Sequence, residues 1–212
     1  MAKVQAQAAI VVMVMSGVFH VPGALAGDIS APTVVLHVRD FQGVPRDQLA
    51  DAQRAASKIY SNIGVLLVWR NGSARLDAVG HAVNADVVIL DTDMADRHNR
   101  DRTAFGQASH ATRRAYIYYS RIMAYSMLTH GNPDRALAIV LAHELGHVLL
   151  PEYSHTDTGI MRPSLCGAVF RLPRFAREQG VMIRTSVLRA GAEDEETAVE
   201  LELDVECADW RR

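Results

Sequence analysis

The sequence predicts an α+β domain that combines four or five strands with two long helices. Short runs of β-branched and apolar residues recur between turn residues, which is typical of strands. A long apolar stretch at residues 133–149 carries start and stop signals for a buried helix. The length of 212 residues is sufficient for one domain with a sizeable core. The formal net charge of −2 shows no basic excess, so no nucleic-acid partner is expected, and the oligomeric state stays open.

Residues 1–26 have the pattern of a secretory signal peptide. Lys3 supplies a positive charge, residues 8–18 form an apolar run, and the small-residue cleavage site is Ala-Leu-Ala at 24–26. The apolar run is too short to span a bilayer comfortably, so no stable membrane anchor is expected. The alternative is a buried N-terminal helix. A signal peptide predicts an exported protein, either secreted or periplasmic.

The elements that precede the central helix are predicted from their apolar patterns. Residues 33–38 form a continuous β-branched run, as in a buried strand, whereas 47–61 repeats apolar residues at a helical period. Residues 91–102 are charged and predict a solvated loop. Calcium binding by its aspartates is the alternative, but the glycine and terminal Glu of an EF-hand loop are missing. The other predicted elements are strands at 65–69 and 86–90, an edge strand at 103–109, a strand at 115–119 and a helix at 122–128.

The central helix at 133–149 is marked at both ends. Asn132 is a plausible N-cap, Pro133 suits the first turn, and Pro151 ends the helix. Apolar residues cover most of its circumference, so the helix is expected to be buried. Three side chains interrupt this apolar surface and need partners when buried: His143, Glu144 and His147.

These polar residues have the spacing of a zinc site. Positions four apart share one face of a helix, so His143 and His147 can offer two imidazole nitrogens to one metal ion. Glu144 lies beside the first ligand, where its carboxylate can reach a metal-bound water without being a ligand itself. Catalytic zinc usually has three protein ligands, and His155 is the predicted third, because Pro151 lets the chain turn back under the helix end. The alternative is an amphipathic helix with two ordinary histidines.

The motif resembles that of the metzincin clan of zinc endopeptidases. The clan's motif is HExxHxxGxxH, followed by a tight turn with a methionine beneath the metal. His143, Glu144 and His147 match the first part, His155 corresponds to the third ligand, and Met161 corresponds to the methionine of the turn. The His-Thr step close to a Gly-Ile-Met sequence is similar to matrixin-type members of the clan.

The chain departs from the clan's motif between the second and third histidines. The clan's glycine, three residues past His147, is replaced by Leu150, and His155 comes eight residues after the second histidine instead of six. The sharp turn that glycine allows at a helix end must therefore be made differently, with two extra residues. Glu152, Asp157 or a distant carboxylate stay open as alternative third ligands.

The resemblance implies a zincin or metzincin-like catalytic domain over residues 27–192. Its fold would be a twisted mixed sheet of four or five strands with an active-site helix and a C-terminal helix. The implied activity is that of a secreted zinc-dependent metalloendopeptidase, in which Glu144 activates a water bound to Zn²⁺ for attack on a peptide bond. The edge strand at 103–110 would pair with an extended protein or peptide substrate, and Met161 would pack beneath the ligands. The alternatives are a non-catalytic zinc-stabilised binding protein and a zinc hydrolase of another bond.

The C-terminal part is predicted to contain a helix followed by an acidic segment. Residues 175–189 repeat apolar residues on one side, as in a helix, and the segment 193–212 is rich in acidic residues. Within it, residues 199–207 alternate between apolar and acidic residues, which predicts an amphipathic strand; a disordered acidic tail is the alternative. Cys166 and Cys207 are the only cysteines and could form one disulfide in an exported protein.

Overall fold

Most of the chain after the predicted signal peptide is described in this computed structural model. The prediction for residues 1–26 lies outside the described part and stays a prediction. The last helix is described by its backbone alone after residue 193. The described residues are 31–72, 82–151, 154–164 and 172–209.

Five strands in the described ranges form a single mixed sheet. They are β1 (Thr33–Asp40), β2 (Leu66–Asn71), β3 (Ala82–Ile89), β4 (Gly106–Ser109) and β5 (Arg114–Ile117). The spatial order is β2-β1-β3-β5-β4. β1 pairs in parallel with β2 and β3, and β3 pairs in parallel with β5. β4 is antiparallel to β5, with Gly106 opposite Ile117, so β4 is the edge strand on this side of the sheet.

Five helices occur in the same ranges. They are α1 (Arg46–Ser61), α2 (Thr92–His98), α3 (Tyr119–Leu128), α4 (Pro133–Leu149) and α5 (Arg177–Asp209). The predicted combination of a mixed sheet, a central helix and a C-terminal helix is therefore confirmed. None of the helices in the described part of the chain has the length and apolarity needed to span a bilayer.

The main core lies between one face of the sheet and helices α1, α4 and α5. Strand side chains alternate between the two faces of a sheet, so every second residue of β1 and β3 reaches this core. α4 runs through its centre, and α5 contributes Ile183 and Val187, both 0% exposed. The strand residues in the core are Val34, Leu36 and Val38 of β1 and Val83, Ala85, Val87 and Ile89 of β3.

α4 has the bounds that the sequence predicts, and its cap explains why. The Asn132 side chain accepts a hydrogen bond of 2.8 Å from the Arg135 backbone N–H, and Pro133 occupies the first turn. Local sequence signals therefore fix the start of the helix that carries the polar motif.

The prediction of a loop at 91–102 is wrong in part, because α2 forms within it. Asp91 caps this short helix and accepts a hydrogen bond of 2.7 Å from the Met94 backbone N–H. Asp96 forms ion pairs with Arg102 at 2.7 Å and with Arg121 at 3.0 Å. These two carboxylates stabilise the helix and the loop after it.

The predicted strand at 199–207 is also wrong, because the backbone of α5 is helical to Asp209. Glu and Leu, which make up five of the nine residues in this segment, have high helix propensity, and the segment contains no proline, so a helix is favoured despite the two-residue alternation. Gly191, which the sequence suggests as the end of the helix predicted at 175–189, lies within α5. Cys166 is outside the described residues, so the disulfide to Cys207 stays a prediction.

Candidate metal centre

α4 presents two histidines from consecutive turns beneath the edge strand. His143 is 8% exposed, and its Nδ1 lies 2.8 Å from the backbone oxygen of Ile160. A carbonyl oxygen only accepts hydrogen bonds, so Nδ1 carries the proton and Nε2 is left with a free lone pair. Such a hydrogen bond fixes the tautomer and the orientation that a metal ligand needs.

Three imidazole rings converge at this point. Nε2 of His147 lies 3.1 Å from Nε2 of His143 and 3.0 Å from Nε2 of His155. A single proton on Nε2 of His147 could not form hydrogen bonds to Nε2 of both His143 and His155. Tetrahedral zinc with bonds of about 2.0–2.1 Å would place its ligands about 3.3 Å apart, which is close to the observed spacing. The donor set therefore fits a zinc ion, and among the described residues it is the one group of at least three potential ligands.

The loop that carries His155 is tied down on two sides. The backbone N–H of Thr156 donates to the Met161 oxygen at 2.9 Å, which closes the loop on itself. Nε2 of Gln179, in the first turn of α5, donates to the Ser154 oxygen at 2.8 Å. Leu150 leaves α4 with an extended backbone (φ −101°, ψ 156°), so no glycine is needed at that position. The longer connection to the third histidine is thus accommodated by an extended exit and an anchored loop.

Met161 packs against α4 at Gly146. It is 0% exposed, and a Cβ atom added at Gly146 would collide with its sulfur. The same Cβ would lie 3.3 Å from Cε1 of Phe175. Gly146 therefore lets the methionine pack against the helix between the turns that carry His143 and His147.

Glu144 is buried under the edge strand. Its side chain is 7% exposed, and a Cβ added at Gly106 of β4 would lie 2.6 Å from its Cγ and 2.7 Å from its Oε1. Burial raises the pKa of Glu144 to about 8. A cation held by the neighbouring histidines would act in the opposite direction and favour the carboxylate.

Burial also sets the protonation state of the histidines. It lowers the pKa of His147 to about 4, with smaller contributions from the adjacent His143 and His155 rings. It lowers the pKa of His143 as well. Both imidazoles are therefore neutral at pH 7, which is the form that binds a metal ion.

A cleft of about 1440 Å³ opens over the three histidines and Glu144. β4 forms one side of it, and residues of α3 line it as well. Its apolar wall includes Phe105 and Tyr125, whose ring centres are 5.1 Å apart, and Leu128, which is 82% exposed. The potential metal ligands thus lie in an open groove beside an edge strand.

Several residues that shape this site were not predicted from the sequence. Gly106 makes room for Glu144, Tyr60 donates to the Ala142 oxygen at 3.1 Å behind the helix, and Gln179 holds the loop of the third histidine. Gly106 lies in the predicted edge strand, where an interior glycine is a recognised sign of a close backbone approach. The other two act across the fold and have no local signal.

No protein-family model matches the chain, and no curated protein does. Among solved structures, the chain is similar to archaemetzincin from Methanopyrus kandleri, with 14% sequence identity and a TM-score of 0.48. This match covers 77% of the chain and 99% of the archaemetzincin. It is also similar to a zinc-dependent peptidase from Methanocorpusculum labreanum, with 12% identity, a TM-score of 0.40, and coverage of 73% and 99% respectively.

Proposed function

We propose that this protein is a zinc-dependent metalloendopeptidase. One observation carries the proposal: three histidine Nε2 atoms converge, with two spacings of 3.0 and 3.1 Å, in an open cleft. A buried carboxylate, Glu144, follows the first of them directly on the same helix. Structural zinc sites usually have four protein ligands and favour cysteine, whereas catalytic sites have three and keep a position open.

Each residue of the site would have one task. His143, His147 and His155 would hold the zinc, which supplies a Lewis acid for the scissile carbonyl and lowers the pKa of water. Glu144 would accept a proton from the attacking water at a carboxylate oxygen and transfer it to the leaving amine nitrogen. Burial raises the pKa of Glu144 in the metal-free protein, whereas a zinc ion held beside it would favour the carboxylate, which is the form that accepts a proton.

The edge strand would bind and orient the substrate. β4 pairs with β5 on one side and borders the cleft on the other. An extended peptide could add to this edge through main-chain hydrogen bonds, which bind many sequences and suit an endopeptidase. Met161 would keep the ligand-bearing turns in place, as in the matrixin-type enzymes that the segment resembles.

The proposal also includes export. Residues 1–26 would be removed as a signal peptide, and the mature protein would begin at Gly27. N-terminal sequencing of the protein recovered outside the cytoplasm tests this point. A mature protein that still begins at Met1 would contradict it.

The central experiment measures zinc content and peptide cleavage together. The purified protein is expected to bind one zinc per chain and to cleave casein and internally quenched blocked peptides, with loss of both on chelation. Glu144→Gln should keep the zinc and lose cleavage by about two to four orders of magnitude, since it removes the general base. A metal-bound protein that cleaves no peptide would favour a non-catalytic binding protein. Hydrolysis of a different kind of bond, without peptide cleavage, would favour a zinc hydrolase of another bond.

A further inference from the structure

A second groove lies beside the cleft, between α5, the C-terminal end of α4 and the turn that joins β4 to β5. We call it the α5 groove. Its volume is about 580 Å³. Two of its apolar side chains, Val181 and Met182, are 59% and 45% exposed. Its main apolar lining residues are Val83, Val148, Leu149, Pro151, Val181 and Met182.

The α5 groove adjoins the cleft over the histidines. His110 and Pro151 line both. Nδ1 of His110 donates to the backbone oxygen of Val148 at 2.8 Å, which ties the end of β4 to the last turn of α4. A polypeptide that pairs with β4 would therefore reach the junction of the two grooves at one end of the strand.

The chemistry of the groove indicates what it would bind. Val181 and Met182 expose apolar surface on a helix whose opposite side is buried, and covering that surface is favourable in water. Thr185, Ser186 and Arg189 also line the groove and can hydrogen-bond to a main chain that passes over them. An apolar side chain on an extended backbone meets both requirements.

We propose that the α5 groove extends the substrate cleft and binds an apolar side chain of a long polypeptide substrate, beyond the residues that pair with β4. This inference rests on the proposed peptidase function and narrows its substrates to extended polypeptides. β4 has four residues, and extended chains advance about 3.3 Å per residue, so the groove would be reached only by peptides longer than the cleft itself.

The test uses two substitutions on one helix. Met182→Glu places a charge in the α5 groove, whereas Leu188→Glu is the matched control, because Leu188 is 46% exposed on α5 and does not line the groove. Both positions are exposed, so neither variant should impair folding. The substrates are a short blocked peptide and versions of it lengthened by about six residues at either end, each with one leucine in the extension.

The expected result is a change that depends on substrate length. One of the two extensions should raise kcat/KM about fivefold or more over the short peptide, mainly through KM, as burial of an apolar side chain predicts. Met182→Glu should abolish this gain and leave the short peptide unchanged, whereas Leu188→Glu should alter neither. Equal kcat/KM for short and long peptides, or equal effects of the two substitutions, would overturn the proposal.

A binding measurement separates this inference from the peptidase proposal. Fluorescence anisotropy of the labelled long peptide on the Glu144→Gln protein, with and without Met182→Glu, reports the groove even if no peptide is cleaved. The proposal is supported if the long peptide binds more tightly than the short one and Met182→Glu removes this difference. Binding of the long peptide that Met182→Glu does not alter contradicts it. Sedimentation of the same proteins gives a further outcome. A dimer that Met182→Glu dissociates would make the groove an interface between copies and would also overturn the proposal.

Discussion

The packing of Met161 against Gly146 predicts how a single methyl group should disturb the metal centre. A Cβ at position 146 would collide with the methionine sulfur and lie 3.1 Å from its Cε and 3.3 Å from Phe175. Both neighbours are buried, at 0% and 7% exposure, so neither can move into solvent. Overpacking of this kind costs about 1–3 kcal/mol, whereas glycine to alanine in a helix interior gains about 1 kcal/mol. We expect Gly146→Ala to lower the free energy of unfolding by about 1 kcal/mol.

The assay is urea denaturation of the metal-free protein together with zinc affinity by competition with a chelator. Gly146 lies between the turns of His143 and His147, so relief of the collision should also displace the ligands and weaken zinc binding. Met161→Ala and the double substitution complete a thermodynamic cycle. In the double variant the added methyl group has room, so Gly146→Ala should be less destabilising there than in the wild type. A Gly146→Ala protein that is about 1 kcal/mol more stable, as helix propensity alone predicts, with unchanged zinc affinity, would refute this reasoning.

Three further predictions concern the carboxylate, the third ligand and pH. Gly106→Ala should displace Glu144, whose Cγ would lie 2.6 Å from the new Cβ, and reduce kcat about tenfold or more while zinc content stays at one per chain. His155→Ala should lower zinc content, whereas Asp157→Ala, which tests an alternative ligand, should not; zinc retained in the first variant would assign the ligand elsewhere. Burial raises the pKa of Glu144 from an ordinary value of 4.5 to about 8, so the folded metal-free protein holds this proton more tightly than the unfolded chain. Its stability should therefore fall as the pH rises from 6.5 to 8, and Glu144→Gln should remove this dependence in thermal denaturation.

The sequence predicted the features that local chemistry determines. α4 begins at an asparagine cap followed by proline, and these signals need no tertiary context. The spacing of His143 and His147 follows from helix geometry alone. The strands were placed correctly in kind. β1, β2 and β3 are longer than predicted because they pair with neighbours beyond the predicted ends, whereas β4 and β5 are shorter than predicted.

Three features were not predicted from the sequence, and one of them depends on contacts across the fold. α2 is a short helix that Asp91 caps and that Arg121 holds from a distance, with hydrogen bonds to the backbone oxygens of Ala95 and Asn99. The exit of the chain at Leu150 is specified by backbone geometry and not by a glycine signal. In the acidic segment, two-residue alternation pointed to a strand, although the propensities of the same residues favour a helix.

If His155 binds the zinc, the hydrogen bond from Gln179 to the Ser154 oxygen would give the last helix a role in metal retention. Because this side chain is 6% exposed, its link to the histidine loop is shielded from competing solvent. Proteolysis or truncation that frees the start of the helix would therefore loosen the third imidazole while the first two remain on their rigid scaffold. Zinc loss would then precede global unfolding, because the first turn of α5 would help to hold the third ligand although it supplies no ligand itself.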